Sequence, residues 1–334
     1  MRNVFAVTAA LALLGSGIAA QANINIETVA IRDAGNAADT TGYGSVGYNY
    51  NIGKYEVTTK QYADFLNNKA KSDPYGLYNT SMTSLGGCNI QRVGTSGSYT
   101  YSVADDWANR PVNCVSYWDA CRFANWLGNG QGTGSTETCA YALNGYNGTD
   151  GREIQRNAGA TWAVTSEDEW YKAAYYKSGG TNAGYWGYPT QSNDVPANLV
   201  DLVDPGNSAN YTIWSPYYGI LQSIGSPYFR SNVGEFENSA SAYGTFDQGG
   251  NVSEWNEAIM TGAYRGLRGG YFSGDIYGNE LHASSRYDSY HSLYAPTFEA
   301  TSVGFRVSEV PEPSSMLALL CGVGGLSWFR KRKS

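Results

Sequence analysis

Cysteine and histidine are the side chains of this sequence that could bind a soft metal or carry redox chemistry. Four cysteines, Cys88, Cys114, Cys121 and Cys139, lie in the first half, and Cys321 lies near the C-terminal end. No Cys-x-x-Cys occurs, so the spacing supports neither a zinc site nor a dithiol redox motif. An even number of cysteines suits disulfides in an oxidising compartment, and nearness in sequence favours Cys88–Cys114 and Cys121–Cys139 only weakly. Buried free thiols are the alternative.

The two histidines do not have the spacing of a metal pair. His282 and His291 are nine residues apart in a stretch rich in Tyr and Ser. We expect them at the surface or in hydrogen bonds. Neither residue type therefore supplies a metal site by spacing alone.

Three helix-start signals indicate the elements that must position any site. The first predicted helix begins at Thr58, the second spans residues 116–127, and the third begins at Ser166. Gln61 and Glu169 stand three residues after their caps and complete capping boxes. Apolar residues at helical spacing follow each start, which predicts one buried face per helix.

The remaining chain predicts short strands and long loops. Lys54–Val57 is predicted to be a strand, and Ser98–Val103 alternates like one. Beyond Lys177 there is no strong helix signal. The 41 Gly and 28 Tyr, with 15% charged residues, are typical of extracellular folds with many turns and aromatic packing.

The charge of the chain excludes some partners. Without five basic residues and one acidic residue at the two ends, the body has 17 basic and 28 acidic residues, a net charge of −11. Such a body argues against nucleic acid as a partner and suits solubility outside the cell and divalent cations.

The two ends resemble export signals. Arg2, an apolar stretch and Ala20-Gln21-Ala22 predict a signal peptide over residues 1–22, cut by signal peptidase. At the other end, Pro311-Glu-Pro313, an apolar run over 316–329 and a basic cluster resemble a PEP-CTERM sorting signal over residues 310–334. The 14-residue run is short for a membrane span. The resemblance implies transient anchoring in the inner membrane, cleavage by an exosortase, and a final location at the cell surface or in the extracellular matrix.

Six segments fall in a recognisable order between these ends. They are Gly53-Lys-Tyr-Glu-Val-Thr58, Arg110-Pro-Val-Asn113 with its helix, Trp162-Ala-Val-Thr-Ser-Glu-Asp-Glu-Trp170, Gly244-Thr-Phe-Asp-Gln-Gly-Gly-Asn-Val-Ser-Glu-Trp255, Arg268-Gly-Gly270 and Gly304-Phe-Arg306. Together they resemble the formylglycine-generating-enzyme family, also called the sulfatase-modifying-factor domain. The likeness spans residues 45–308 and defines one domain over 23–309. It implies an α+β fold, a loop-rich variant of the C-type lectin fold with few short helices and strands.

The resemblance also implies a copper chemistry that this sequence lacks the ligands for. Enzymes of the family oxidise a sulfatase cysteine with copper held by two cysteines just after the Arg-Gly-Gly motif. The segment Tyr271–Asn279 contains no cysteine. Copper(I) prefers thiolate ligands. We therefore do not expect bound copper.

A calcium site is the other implication of the resemblance. Carried over position by position, its ligands are the side chains of Asp247 and Glu254 and the carbonyls of Gly250 and Val252. Such hard oxygen ligands suit Ca²⁺. Asn210 matches an asparagine of a second calcium site, for which no acidic partner is clearly placed. The alternative is that Asp247 and Glu254 cap turns.

The stretch between Arg-Gly-Gly and Gly-Phe-Arg is a candidate binding face. It mixes aromatic and small polar residues, a composition of adaptable recognition surfaces. The candidate ligand-binding residues are Arg286, Tyr287, Tyr290 and Tyr294. Aromatic core packing is the alternative. Phe272 and Phe305, which flank the glycine motifs, are expected to point inward.

These observations predict an exported, non-catalytic binding protein on a formylglycine-generating-enzyme-like scaffold. Its expected ligand is a glycan or a surface protein, and we expect a monomer. The alternative is a sulfatase-modifying enzyme or a related oxidoreductase.

Overall fold

The computed structural model provides the element bounds. It describes residues 23–198, 204–215, 220–222, 224–274, 276–286 and 294–310. The helices are α1 (Thr59–Lys69), α2 (Asp105–Ala108), α3 (Tyr117–Gly128) and α4 (Glu167–Tyr175). The strands are β1 (Thr28–Ile31), β2 (Tyr50–Gly53), β3 (Gln91–Val93), β4 (Thr100–Ser102), β5 (Trp162–Val164), β6 (Ile213–Ser215), β7 (Ile220–Gln222), β8 (Ser253–Ile259), β9 (Arg265–Arg268), β10 (Val303–Gly304) and β11 (Val307–Glu309).

The predicted signal peptide and all of the predicted sorting signal except Val310 lie outside the described residues. None of the helices in the described part of the chain combines the length and the hydrophobicity of a membrane span.

The three main helices begin where the capping signals predict. The side chain of Thr58 accepts a hydrogen bond from the backbone N–H of Gln61, and the side chain of Gln61 accepts one from the backbone N–H of Thr58. Ser166 and Glu169 cap α4 in the same reciprocal way. Ser116 forms a third capping box, with Asp119, before α3. Each box satisfies backbone donors that a helix start leaves open.

The strands form small sheets built from distant parts of the chain. The largest has the order β1-β2-β11-β5, so the last strand lies between β2 and β5 and is antiparallel to both. A second sheet has the order β10-β8-β9, in which β10 is parallel to β8 and β9 is antiparallel to it. The pairs β3-β4 and β6-β7 are two-stranded.

The prediction of a strand over Lys54–Val57 is wrong. Strand β2 ends at Gly53, and the next residues bond to two different segments instead of one ladder. The backbone N–H of Lys54 donates to Glu27 O at 2.8 Å, and that of Val57 to Phe305 O at 3.0 Å. Residues 54–57 instead form an extended connection between β2 and α1, and the side chain of Val57 lies in the core.

An aromatic core fills the space between α1, α3 and the Gly-Phe-Arg motif. The ring of Phe305 lies 5.3 Å from that of Phe123, which stacks on Tyr62 at 6.2 Å, centroid to centroid. Phe305 and Phe272 are both buried, as predicted. The α+β, loop-rich fold class expected from the sequence is confirmed.

Candidate functional site

A buried ion pair lies at the junction of the sequence motifs. Glu254, the second residue of β8, and Arg306, between β10 and β11, are both fully buried. Arg306 Nε donates to Glu254 Oε2 and Nη2 donates to Oε1, each at 2.6 Å. This two-pronged geometry fits the planar guanidinium to the carboxylate.

Three further contacts tie this ion pair to the rest of the fold. Trp170 Nε1, on α4, donates to Glu254 Oε2 at 2.8 Å. Arg306 also donates to Gly53 O at 3.0 Å and to Phe246 O at 2.9 Å. Four of the six sequence motifs therefore meet at one carboxylate and one guanidinium.

The loop before β8 places the other predicted calcium ligands. Asp247 has a left-handed φ of 60° and accepts from the backbone N–H of Gly234 at 2.6 Å. Burial raises the pKa of Asp247 to about 6. Gly250 and Asn210 form an isolated parallel β-bridge. A Cβ at Gly250 would clash with the carbonyl oxygen of Asn210. Val252 is buried in the core.

Asn210 is held by this same loop. Its Nδ2 donates to Phe229 O and to Asn251 Oδ1, both at 3.0 Å. Among the described residues its Oδ1 has no hydrogen-bond partner, although Asn210 is 1% exposed. The structure thus brings Asn210 and Gly250 together.

The ligand set implied by the resemblance does not fit a cation at Glu254. Both carboxylate oxygens of Glu254 are engaged by Arg306, and Oε2 also accepts from Trp170. A cation there would face the positive guanidinium. Within the described ranges, no group of three or more His, Cys, Asp or Glu side chains is arranged to hold a metal ion. Calcium in this loop stays a prediction, and Glu254 has a structural role.

Glu56 is not among the residues that the sequence marks as a candidate ligand. It is 2% exposed, and neither of its carboxylate oxygens has a hydrogen-bond partner in the described part of the chain. Burial, together with the charges of Asp247 and Glu254, raises the pKa of Glu56 well above its ordinary value. The signal available in the sequence was an acid between Tyr55 and Val57, of which Val57 is buried and Tyr55 half-buried in the structure.

The arginine of Arg-Gly-Gly forms a second buried cluster. Arg268 Nη2 lies 2.7 Å from Glu167 Oε1, and Arg286 Nη2 lies 2.7 Å from Glu167 Oε2. Both guanidinium groups also lie over the ring of Tyr43, at 4.8 and 5.0 Å. Arg286, a predicted ligand-binding residue, is therefore held by Glu167 at the start of α4.

The predicted binding face is only partly described. Tyr287 and Tyr290 lie outside the described residues. Tyr294 is half-buried against the main core, and its ring lies 4.5 Å from that of Phe298. Tyr277, in the same stretch, is 67% exposed. The aromatic residues thus divide between packing and exposure.

The described cysteines and histidine do not converge on a site. Cys88, Cys114, Cys121 and Cys139 have free thiols, which agrees with the second of the two sequence-based alternatives. Burial raises the pKa of Cys114 to about 12. His282 Nδ1 hydrogen-bonds with Ser284 Oγ at 2.8 Å, as expected, while His291 lies outside the described residues.

The sequence model of the sulfatase-modifying factor enzyme 1-like domain matches residues 36–310. The chain belongs to this family. A comparison with functionally curated proteins found no match.

One solved structure shows the same fold at low sequence identity, and two others are similar over most of the chain. The protein in "Crystal Structure of CarF" is 22% identical, with a TM-score of 0.52, over 86% of this chain and 99% of that one. Treponema denticola variable protein 1 is 19% identical, with a TM-score of 0.48, over 85% and 95%. PvdO from Pseudomonas aeruginosa is 17% identical, with a TM-score of 0.41, over 85% and 92%.

The segment after Arg-Gly-Gly does not fit the thiolate-bound copper of the family's enzymes. Phe272 is buried there and its ring packs 5.5 Å from that of Phe229. Ser273 is exposed, and the sequence offers no thiol between Tyr271 and Asn279. Hydroxyl and aromatic groups are poor ligands for Cu(I).

We predict that Glu254→Gln lowers the free energy of unfolding by roughly 3–5 kcal/mol, because Arg306 is left buried without a charge partner. Glu27→Gln is the matched control, since Glu27 pairs with Lys54 at the surface, and exposed pairs contribute about 0–1 kcal/mol. Urea unfolding of both variants is the measurement. Equal losses in the two variants would contradict the central role of the buried pair.

Proposed function

We propose that this protein is exported and acts as a non-catalytic binding protein at the cell surface or in the extracellular matrix. The observation that carries the proposal is the segment Tyr271–Asn279, which follows the family's Arg-Gly-Gly motif without a cysteine. The family's oxidation chemistry needs thiolates at this place, so the scaffold is present without those ligands. Function depends on the site and not on the fold.

The terminal sequences support export. The apolar stretch before Ala20-Gln21-Ala22 has the pattern of a signal peptide, and the residues from Pro311 resemble a sorting signal. Signal peptidase and an exosortase are the processing partners in this proposal. The acidic body supports solubility outside the cell.

The stretch between Arg268-Gly-Gly and Gly304-Phe-Arg is the proposed binding face. It joins two buried, rigid motifs, and loops on a rigid scaffold commonly carry binding residues. Tyr277 is well exposed there, and Arg286 retains partial exposure beside Glu167. Aromatic rings and polar groups together suit a glycan or a protein surface.

Membership of the family favours a second candidate, formylglycine generation. The two candidates are separated by incubating purified protein with a sulfatase-type cysteine peptide and copper, followed by mass spectrometry of the peptide. We predict no conversion of cysteine to formylglycine. Conversion that is absent with a cysteine-to-alanine peptide would overturn the non-catalytic assignment.

The sorting proposal predicts that replacing Pro311, Glu312 and Pro313 by Ala traps the protein as a membrane-bound precursor, because the exosortase recognition residues are lost. Cell fractionation and immunoblotting measure the precursor and the mature form. Replacement of Ser314 and Ser315 by Ala, next to the motif, is the control. Normal processing of the triple variant would count against an exosortase.

The binding-face proposal predicts that alanine variants of the aromatic residues fall into two groups that differ in thermal stability. Phe272→Ala should cost roughly 3–5 kcal/mol through lost burial and a cavity. Tyr277→Ala, Tyr287→Ala and Tyr290→Ala should stay close to wild type, and Tyr294→Ala should fall between, because its ring packs on Phe298. Melting curves of the five variants decide. If all the tyrosine variants unfold as readily as Phe272→Ala, the stretch is core and not a binding face.

A further inference from the structure

A cavity of about 390 Å³ opens at one end of the four-stranded sheet. Its walls come from β1, β2 and β11, from residues that flank these strands, and from Thr161 just before β5. None of its described lining residues belongs to the six sequence motifs or to the proposed binding face. Pockets for small molecules commonly have volumes of about 300–1,000 Å³, so this cavity is large enough to hold a ligand.

The strand register brings side chains from separate strands together in this cavity. Asn51 of β2 lies opposite Ala30 of β1 on one side and opposite Glu309 of β11 on the other. Directly opposed residues point to the same face of a sheet, so these three side chains form one row. Arg32, which follows β1, and Asn49, which precedes β2, line the same cavity. The fold therefore gathers four polar side chains next to the small side chain of Ala30.

Part of this polar array is oriented within the protein itself. Asn51 Nδ2 donates to Glu309 Oε2 at 2.8 Å, which orients both side chains. Strands β2 and β11 each pair with a neighbour on both sides, so the pair stands on a well-ordered part of the scaffold. The bond leaves one N–H and the carbonyl oxygen of the Asn51 amide, and the second carboxylate oxygen of Glu309, for a ligand.

The side chains of Arg32 and Asn49 are also available to a ligand. Both residues are exposed, and within the described ranges neither side chain has a hydrogen-bond or ion-pair partner. A guanidinium group has five N–H donors, and an amide has two donors and an acceptor. The cavity thus offers donors beside β1, and donors and acceptors together beside β2 and β11.

The charges of the cavity select the class of ligand. Arg32 is its one cation and Glu309 its one carboxylate among the described lining residues, so the cavity has no net charge. An anionic ligand would be repelled by Glu309, and a cationic one by Arg32. A ligand with several hydroxyl groups suits both residues, because each hydroxyl donates one hydrogen bond and accepts others. Several hydroxyl groups on a compact ring are characteristic of a sugar.

We propose that this cavity binds a neutral saccharide. Arg32 donates to sugar hydroxyls beside β1, and the bonded pair of Asn51 and Glu309 binds hydroxyls beside β11. Ala30 leaves room for the sugar ring, because it places only a methyl group between Arg32 and Asn51. The site is separate from the proposed binding face, and it does not depend on export or on the absence of catalysis.

The test is glycan binding by the full-length protein, purified in a detergent without a sugar headgroup. An array of neutral and uronic-acid oligosaccharides identifies the bound class, and calorimetry with the strongest neutral binder measures its Kd. We expect neutral oligosaccharides to bind. Arg32→Gln and Glu309→Gln should each raise the Kd at least about tenfold, because each removes a charged hydrogen-bonding group. Ala30→Tyr should abolish binding by filling the cavity, with a melting temperature close to that of wild type, since tyrosine suits an exposed strand position.

Two variants outside the cavity serve as controls. Arg152→Gln changes another exposed arginine, and Tyr277→Ala tests the proposed binding face separately. Both should bind the neutral oligosaccharide as wild type does. The proposal fails if no neutral oligosaccharide binds wild type, or if Ala30→Tyr binds as tightly as wild type. Binding that is lost in Tyr277→Ala and kept in Ala30→Tyr would assign the glycan to the proposed binding face instead. Binding of uronic-acid oligosaccharides alone, weakened by Arg32→Gln and not by Glu309→Gln, would replace the saccharide site by an anion site.

Discussion

The buried ion pair of Glu254 and Arg306 is the interaction on which the arrangement of the motifs depends. Two charges removed from water stabilise a protein only when their geometry and their remaining hydrogen bonds are satisfied. Here the partners come from Gly53, Phe246 and Trp170, which are far apart in sequence. The pair is therefore fully satisfied only after all of these segments have reached their final positions.

The long loops are also held by buried polar side chains that come from distant parts of the chain. Loop carbonyls have no regular ladder partner, so buried side chains must donate to them. Asn125 Nδ2 donates to the carbonyls of Thr136 and Tyr141, and Asn113 Nδ2 to that of Gly86. Buried amides and guanidinium groups thus replace secondary structure as the means of holding irregular backbone.

Local signals predicted the three main helices but not the short α2, whereas the strands and the charge network depended on distant partners. The caps at Thr58, Ser116 and Ser166 lie within four residues of the groups they satisfy, so the sequence alone places them. The strand predicted over Lys54–Val57 failed because its hydrogen bonds go to Glu27 and Phe305, and neither is visible in a local pattern.

The candidate site was harder to predict for the same reason. Resemblance pointed to Asp247 and Glu254, but only the structure reveals that Arg306 engages both carboxylate oxygens of Glu254. Glu56 carried no periodic or motif signal that separates an unpartnered buried carboxylate from a surface one. Its significance follows from what surrounds it in space, which a single sequence does not contain.

The position of β11 has a mechanical consequence. This final strand is hydrogen-bonded on both sides, to β2 and to β5, and Val310 N donates to Thr161 O immediately after it. Tension applied to the chain beyond residue 310 would run along β11, and the ladders on both of its flanks would resist in shear. A tether at this end would thus pull on the interior of the sheet, where the ladders on both flanks must break together, and not on an edge strand, which could peel away one hydrogen bond at a time.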